Sequence, residues 1–155
     1  MENQEQTAKQ AYSKMAQLCS RSEQCSTDIR KKIIAFDLDN YIVDEIIEEL
    51  KTEKYLSDER YIKAYVADKF RINKWGRIKM RHCLRMKGLQ EDVIQDELDE
   101  IDEEKYKAVL IKTMKTKAKT IKKKNKFEKM GQIIRFAQTR GFEPELIHRY
   151  MNLVL

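Results

Sequence analysis

The residues best able to do chemistry in this sequence are its cations, and they come in blocks. Residues 69–87 hold eight bases and no acid: Lys69, Arg71, Lys74, Arg77, Lys79, Arg81, Arg85 and Lys87. Residues 105–135 hold eleven lysines and Arg135 against Glu128 alone, a net of +11, and Lys122-Lys123-Lys124-Asn125-Lys126 is the densest run. The acids are sorted in the same way. Residues 37–50 contain six and no Lys or Arg, and residues 89–104 contain nine and no base. The net charge of +6 conceals this segregation. A basic face attracts phosphate and gains from counterion release. An acidic face repels DNA and can meet basic protein surfaces. A chain with both suits a nucleoprotein better than naked duplex. The candidate contacts are Lys69, Arg71, Lys74, Arg77, Arg81, Lys122, Lys123, Lys124 and Lys126. A competing reading is internal pairing of the 69–87 block with the acids of 89–104, and a merely solvated lysine face stays open for 105–135. Trp75 and Tyr65 lie in or beside the first block and either stack on bases or belong to the core. Phe70 and Ile78 read as core.

Other chemistry is hard to find. There is no Gly-rich phosphate loop for nucleotide hydrolysis. His82 and His148 are the only histidines, with no HxxxH pair and no cysteine spacing for zinc. Cys83 follows His82, but adjacent helical residues point apart, a poor geometry for a nucleophile and its base. Asp96, Glu97, Asp99 and Glu100 look like solvated surface rather than an acid–base pair. Asp37-Leu38-Asp39-Asn40 lacks the Gly and distal ligands of a calcium loop. The three cysteines, Cys19, Cys25 and Cys83, form no CxxC and read as thiols. The sequence therefore predicts no catalytic constellation, no metal and no cofactor. No stretch approaches the roughly 18 apolar residues of a membrane span. MENQEQTAKQ at the start carries no apolar signal core. A cytoplasmic, monomeric protein is expected, with no membrane partner.

The elements that must position these charges are helical. Gly (4) and Pro (1) are too scarce for the turns a sheet protein needs, and apolar residues recur at helical spacing. A longer regularity overlies this one. Counting 4, 5 and 9 residues on from Leu38 gives Ile42, Val43 and Ile47. From Leu89 the same steps give Val93, Ile94 and Leu98, and from Phe142 they give Leu146, Ile147 and Met151. Nine and five residues before the three origins stand Ile29 and Ile33, Met80 and Leu84, and Ile133 and Ala137. Lys87-Gly88-Leu89 and Arg140-Gly141-Phe142 each put Gly where a helix stops, followed by an apolar residue that packs back on the last turn. Asp37 takes that place in the first copy, a weaker cap. Ser57 precedes Asp58-Glu59 as an N-cap with acids in the first turn.

These signals predict an all-α chain, an elongated curved array of three tandem three-helix repeats at 1–55, 56–101 and 102–155. The helices are expected at 7–20, 26–36 and 40–53; at 58–72, 75–87 and 90–101; and at 103–124, 128–139 and 143–153. The lysine-rich helix at 103–124 has no register that matches its counterparts.

Three stretches resemble the RecX family of recombination regulators. Arg21-Ser22-Glu23-Gln24-Cys25-Ser26-Thr27-Asp28-Ile29-Arg30-Lys31-Lys32-Ile33 is similar to the family's first-unit signature. Leu56-Ser57-Asp58-Glu59-Arg60-Tyr61-Ile62 resembles its L-x-D-x-R-[FY]-A block and continues through Lys69-Phe70, Trp75-Gly76, Ile78, Leu84, Arg85 and Lys87-Gly88-Leu89. Arg135-Phe136-Ala137-Gln138-Thr139-Arg140-Gly141-Phe142 is like the closing L-x-R-[RK]-G-[FY] element. The resemblance spans roughly residues 10–153. It departs at Cys25, where Ser is usual, at Ile62, where Ala is usual, and at Asn73-Lys74-Trp75, where the turn is usually richer in Gly. It implies a non-enzymatic regulator that lodges in the groove of a RecA filament. Such a regulator damps strand exchange, ATP turnover and coprotease activity, touching DNA alone or only with RecA. Composition by itself supports a second reading, a general basic helical DNA-binding protein without a recombinase partner.

Overall fold

The computed structural model describes residues 2–122 and 125–155. Among them the chain is all-α, as expected, with nine helices, two 3-10 turns and no strand. The helices are α1 (Glu2–Arg21), α2 (Ser26–Ile33), α3 (Asn40–Thr52), α4 (Asp58–Arg71), α5 (Arg77–Met86), α6 (Glu91–Asp99), α7 (Glu103–Thr120), α8 (Lys126–Thr139) and α9 (Pro144–Tyr150). The 3-10 turns, Ile34–Phe36 and Met151–Leu153, extend α2 and α9. The chain divides into two compact units, Met1–Ala64 and Tyr65–Leu155, and the division falls inside α4.

In the first unit α1 contributes Ala11, Met15 and Cys19, spaced by four on one face, to a core completed by Ile29 and Ile33 of α2 and by Val43, Ile46, Ile47 and Leu50 of α3. The N-terminus of α2 is held from outside. Cys25 offers no capping oxygen, and Asp58 of α4 accepts hydrogen bonds from both the backbone N–H and the hydroxyl of Ser26, each 2.7 Å. A carboxylate there satisfies an otherwise orphaned donor and meets the positive end of the helix. Ser57 caps α4 as expected, its hydroxyl accepting from the Arg60 N–H at 3.2 Å.

In the second unit α7 buries Tyr106, Leu110, Met114 and Ala118 in a core with Ile133 and Ala137 of α8, Phe142, Ile147 and Met151. α5 packs against α6, burying Met80 and Leu84 on one helix and Ile94 and Leu98 on the other.

The positions tied to the three sequence origins are buried or half-buried, from Ile29 and Ile33 to Ile147 and Met151. The residue before each origin is left-handed: Asp37 at φ 54°, Gly88 at 72° and Gly141 at 99°. Gly141 also receives a neighbour. The Gly76 N–H donates to the Arg140 carbonyl at 2.8 Å and the Ile78 N–H to the Gly141 carbonyl at 3.0 Å, so the turn after α8 seats the start of α5. A Cβ at Gly76 would collide with the Gly141 carbonyl, and one at Gly141 with the Lys79 side chain.

Two local expectations are corrected. Ile78 is 44% exposed rather than core. The buried face of α5 runs through residues 77, 80 and 84, and Ile78 stands about 100° round the helix from it. α7 closes at Thr120, short of the expected 124, because Ile121 turns extended at φ −88° and ψ 119°.

Candidate functional site

The basic block on α5 does not present a uniform cationic face. Arg77, expected to meet phosphate, is only 9% exposed and is committed inside the second unit. Its Nη1 donates to Glu143 Oε2 at 2.9 Å and its Nη2 to Glu103 Oε1 at 2.5 Å. Its guanidinium lies 3.8 Å from the centre of the Tyr106 ring. The Tyr106 hydroxyl accepts the Arg77 backbone N–H at 2.9 Å and donates to Glu143 Oε1. Phe70 stacks on Tyr106 at 5.8 Å and Phe142 tilts against it at 5.4 Å. Burial opposes the Arg77 charge, yet the hydrogen bond to Glu143 and the surrounding charges outweigh it and raise the pKa further. Burial, then the bond to Glu143, push the Tyr106 phenol far above its ordinary value. This cluster joins the start of α5 to α7 and α9. It is a structural clamp, and Arg77 leaves the set of available contacts.

Arg81 is half withdrawn as well. It is half-buried, donates to Gln95 at 2.6 Å and stands 3.9 Å from Glu91, with its Nε buried and without a hydrogen bond. Arg85 makes a two-pronged pair with Glu91, both bonds 2.6 Å. The hydrogen bond from Arg85 holds the Glu91 carboxyl below the usual carboxylate range, and the same bond raises Arg85. Internal pairing between α5 and α6 is thus real at one acid, Glu91.

The remaining nominated residues stand differently. Lys69 and Lys79 approach the Trp75 ring at 4.9 and 4.3 Å, and Lys69 also the Tyr65 ring at 5.5 Å, so half-buried Trp75 is packed under cations. Arg71 is exposed. Lys74 is exposed in a left-handed conformation, φ 59°, its ammonium donating to the Arg71 carbonyl at 2.6 Å. Lys122 and Lys126 are exposed, and Asn125 caps α8 by accepting from the Glu128 N–H at 2.8 Å. Lys123 and Lys124 lie outside the described residues.

The structure adds cations that the sequence did not single out. On the side of α7 away from the core, Lys112, Lys115 and Lys119 form an exposed stripe with Ala108 and Thr116. A groove of about 400 Å³ beside it is lined by Val109, Lys112, Thr113 and Phe136, with Lys74 and Arg140 at its rim. Phe136 carries Lys117 at 5.1 Å and Arg140 at 4.9 Å. Among the described residues these three stripe lysines make no ion pair. Lysine charges in a row, with threonines between, can position a polyanion by its phosphates or meet an acidic protein surface.

Among the described residues no cluster of three or more His, Cys, Asp or Glu could hold a metal ion, and no helix is long and apolar enough to cross a membrane. None of the three cysteines is disulfide-bonded; Cys19 and Cys25 are buried and Cys83 half-buried.

Residues 57–98 match the family model described as the RecX second three-helix domain. The chain is 30% identical over 118 residues to the regulatory protein RecX of Clostridium perfringens strain 13, which covers 75% of this chain and 55% of that protein. It is 27% identical over 139 residues to the regulatory protein RecX of Acinetobacter baylyi, covering 88% of this chain and 83% of that one. It spans little more than half the length of the Clostridium perfringens relatives. Its fold is like that of the crystal structure of RecX from Lactobacillus salivarius, with a TM-score of 0.86 at 17% identity, over 96% of this chain and 97% of that one. A second crystal structure, of regulatory protein RecX, superposes with a TM-score of 0.85 at 22% identity, over 94% of this chain and 72% of that one. Its second three-helix domain and its sequence relatives are those of RecX proteins, and its fold is like theirs, so the chain resembles the RecX family.

Proposed function

We propose that this chain is a non-enzymatic regulator that binds the nucleoprotein filament of a RecA-type recombinase and damps its strand exchange, ATP turnover and coprotease activity. The observation that carries the reading is the match of residues 57–98 to the RecX second three-helix domain. The charge pattern supports it. Acidic helices α3 and α6 suit a basic recombinase surface. Lys69, Arg71, Lys74, Lys122 and Lys126, joined by Lys112, Lys115 and Lys119, suit phosphate or an acidic recombinase surface. We further propose that the chain acts as a cytoplasmic monomer built of three tandem three-helix repeats, the second of which is the matched domain.

The test is RecA ATPase and strand exchange on single-stranded DNA at substoichiometric protein, with co-sedimentation of the assembled filament. Inhibition together with filament binding is expected. No inhibition and no co-sedimentation overturns the proposal. The unpaired stripe on α7 favours one rival, a general DNA binder. That rival expects tight, salt-steep binding to DNA alone. Charge reversal at Lys112, Lys115 and Lys119 together with Lys122, Lys123, Lys124 and Lys126 abolishes all binding under the rival and leaves part of the filament affinity under the proposal.

A further inference from the structure

The first unit carries a second cationic feature, distinct from every residue in the proposed filament contact. A groove of about 680 Å³ opens between α1 and the end of α2 with its 3-10 turn. Its floor is apolar, made by Met15, Leu18, Ala35 and Phe36. Its rims are cationic on both sides: Lys14 and Arg21 from α1, Lys31 and Lys32 from α2. No acid lines it. Arg30, on the same helix, is spent on Asp44 at 2.9 Å, but among the described residues none of the four rim cations makes an ion pair. Arg21, Lys31 and Lys32 do sit in the last turns of their helices, where cations meet the negative helix end. That accounts for their place in sequence. It does not account for Lys14 in mid-helix, or for an apolar floor left open between two charged rims.

We propose that this groove docks an acidic amphipathic helix of a partner protein. The floor asks for an apolar stripe and the rims for carboxylates on either side of it, the pattern of helix-in-groove recognition. The span from Lys14 to Arg21 is about 10 Å along α1, enough for about two turns of a bound helix. A nucleic-acid strand fits less well. Phosphates would leave the apolar floor unfilled. Stacking needs an open ring, and Phe36, the one aromatic in the lining, is half-buried with the Lys14 ammonium 6.0 Å from its centre.

The test uses the full chain and a labelled acidic amphipathic peptide of about 16 residues, with leucines along one face and glutamates elsewhere. A scrambled peptide of the same composition and an oligothymidylate of about 20 nucleotides serve as comparisons. Binding is followed by fluorescence anisotropy, and amide shifts locate it. The amphipathic peptide is expected to shift residues 14–36 and to bind at least about tenfold more tightly than the scrambled one. Ala35→Glu, at an exposed floor position, and Lys14→Glu, in mid-helix, should each weaken it by about tenfold with helix content unchanged by circular dichroism. Equal binding of the two peptides, an undiminished affinity in both variants, or oligothymidylate shifting residues 14–36 in place of the peptide overturns the proposal. Filament co-sedimentation of the Ala35→Glu variant separates this outcome from the recombinase reading, which rests on other residues.

Discussion

Replacing Arg77 with methionine should destabilise the second unit, because Arg77 is a buried structural residue and not part of an exposed cationic surface. The Arg77 side chain is 11% exposed and that of Glu143 22%. Removing one member of such a buried pair costs about 3–5 kcal/mol, most of it for the charge left behind. The Glu103 arm adds little, because Glu103 is 74% exposed and pairs of that kind contribute about 0–1 kcal/mol. Glu143 keeps the Tyr106 hydroxyl and some access to water, so the lower end, about 3 kcal/mol, is the expected loss. At a urea slope of about 2 kcal/mol/M this moves the midpoint down by about 1.5 M. Trp75, the only tryptophan, lies in the second unit, and its fluorescence reads that transition selectively. Adding Glu143→Gln to Arg77→Met removes the orphaned charge while keeping an acceptor for Tyr106. The double variant should recover about 1–2 kcal/mol, a coupling that a cavity alone would not produce. A single variant within about 0.3 M of the wild type at equal slope would refute the clamp. A double variant no better than the single would assign the loss to packing instead.

Other outcomes follow from the same geometry. Gly88 and Gly141 are both left-handed, but a Cβ at Gly88 meets open space whereas one at Gly141 meets Lys79. Thermal unfolding should show Gly88→Ala costing about 1 kcal/mol and Gly141→Ala about 3 kcal/mol or more. Tyr106 has its folded pKa raised by burial and by Glu143. Its contribution is fully present below the unfolded tyrosine pKa of about 10 and is lost as pH rises beyond it. A melting temperature that falls above that pH in the wild type, and falls less in Tyr106→Phe, would bear this out. Glu91 is held below the ordinary carboxylate range by Arg85. An NMR titration of its carboxyl should move up towards the ordinary value in Arg85→Gln, and an unmoved midpoint would show that the pair does not form in solution. Glutamate at Lys112, Lys115 and Lys119 together should lower the salt slope of single-strand-dependent binding by about 2, from about 0.7 per phosphate contact. A slope equal to that of the wild type would place these lysines away from DNA.

Much of the fold was legible because two independent signals, apolar spacing and helix caps, agreed in all three copies. Apolar positions such as Ile29 and Ile33, Met80 and Leu84, and Ile133 and Ala137 share one spacing relative to a cap, and each cap adopts the left-handed conformation that the cap argument requires. α7 was found as a helix but without a register, for a geometrical reason. Its buried residues, Tyr106, Leu110, Met114 and Ala118, step by four. Each step of four overshoots a full turn by about 40°, so the buried line winds round the helix instead of forming a straight stripe. Val109 and Ile111, half-buried beside it, blur the pattern further. The close approach of Gly76 to Gly141 links residues 65 positions apart and leaves no local signature beyond the two glycines.

The candidate site was legible as a region and less so residue by residue, and the reason lies in how charge blocks are consumed by folding. A run of bases marks where cations are dense in the chain. Whether a given one remains available depends on which acids the fold delivers to it. α6 delivers Glu91 to Arg85 and the side chain of Gln95 to Arg81. The turn after α8 delivers Glu143 to Arg77 from 66 residues away. Among the described residues no acid lines the outer face of α7 or the rims of the α1–α2 groove. In a chain with this many charges of both signs, the surplus at a surface is therefore set by tertiary pairing more than by sequence density. The lysines left over, rather than the densest block, are the ones with free energy to gain from an anionic partner, since a cation already hydrogen-bonded to a carboxylate must break that pair before it can bind another.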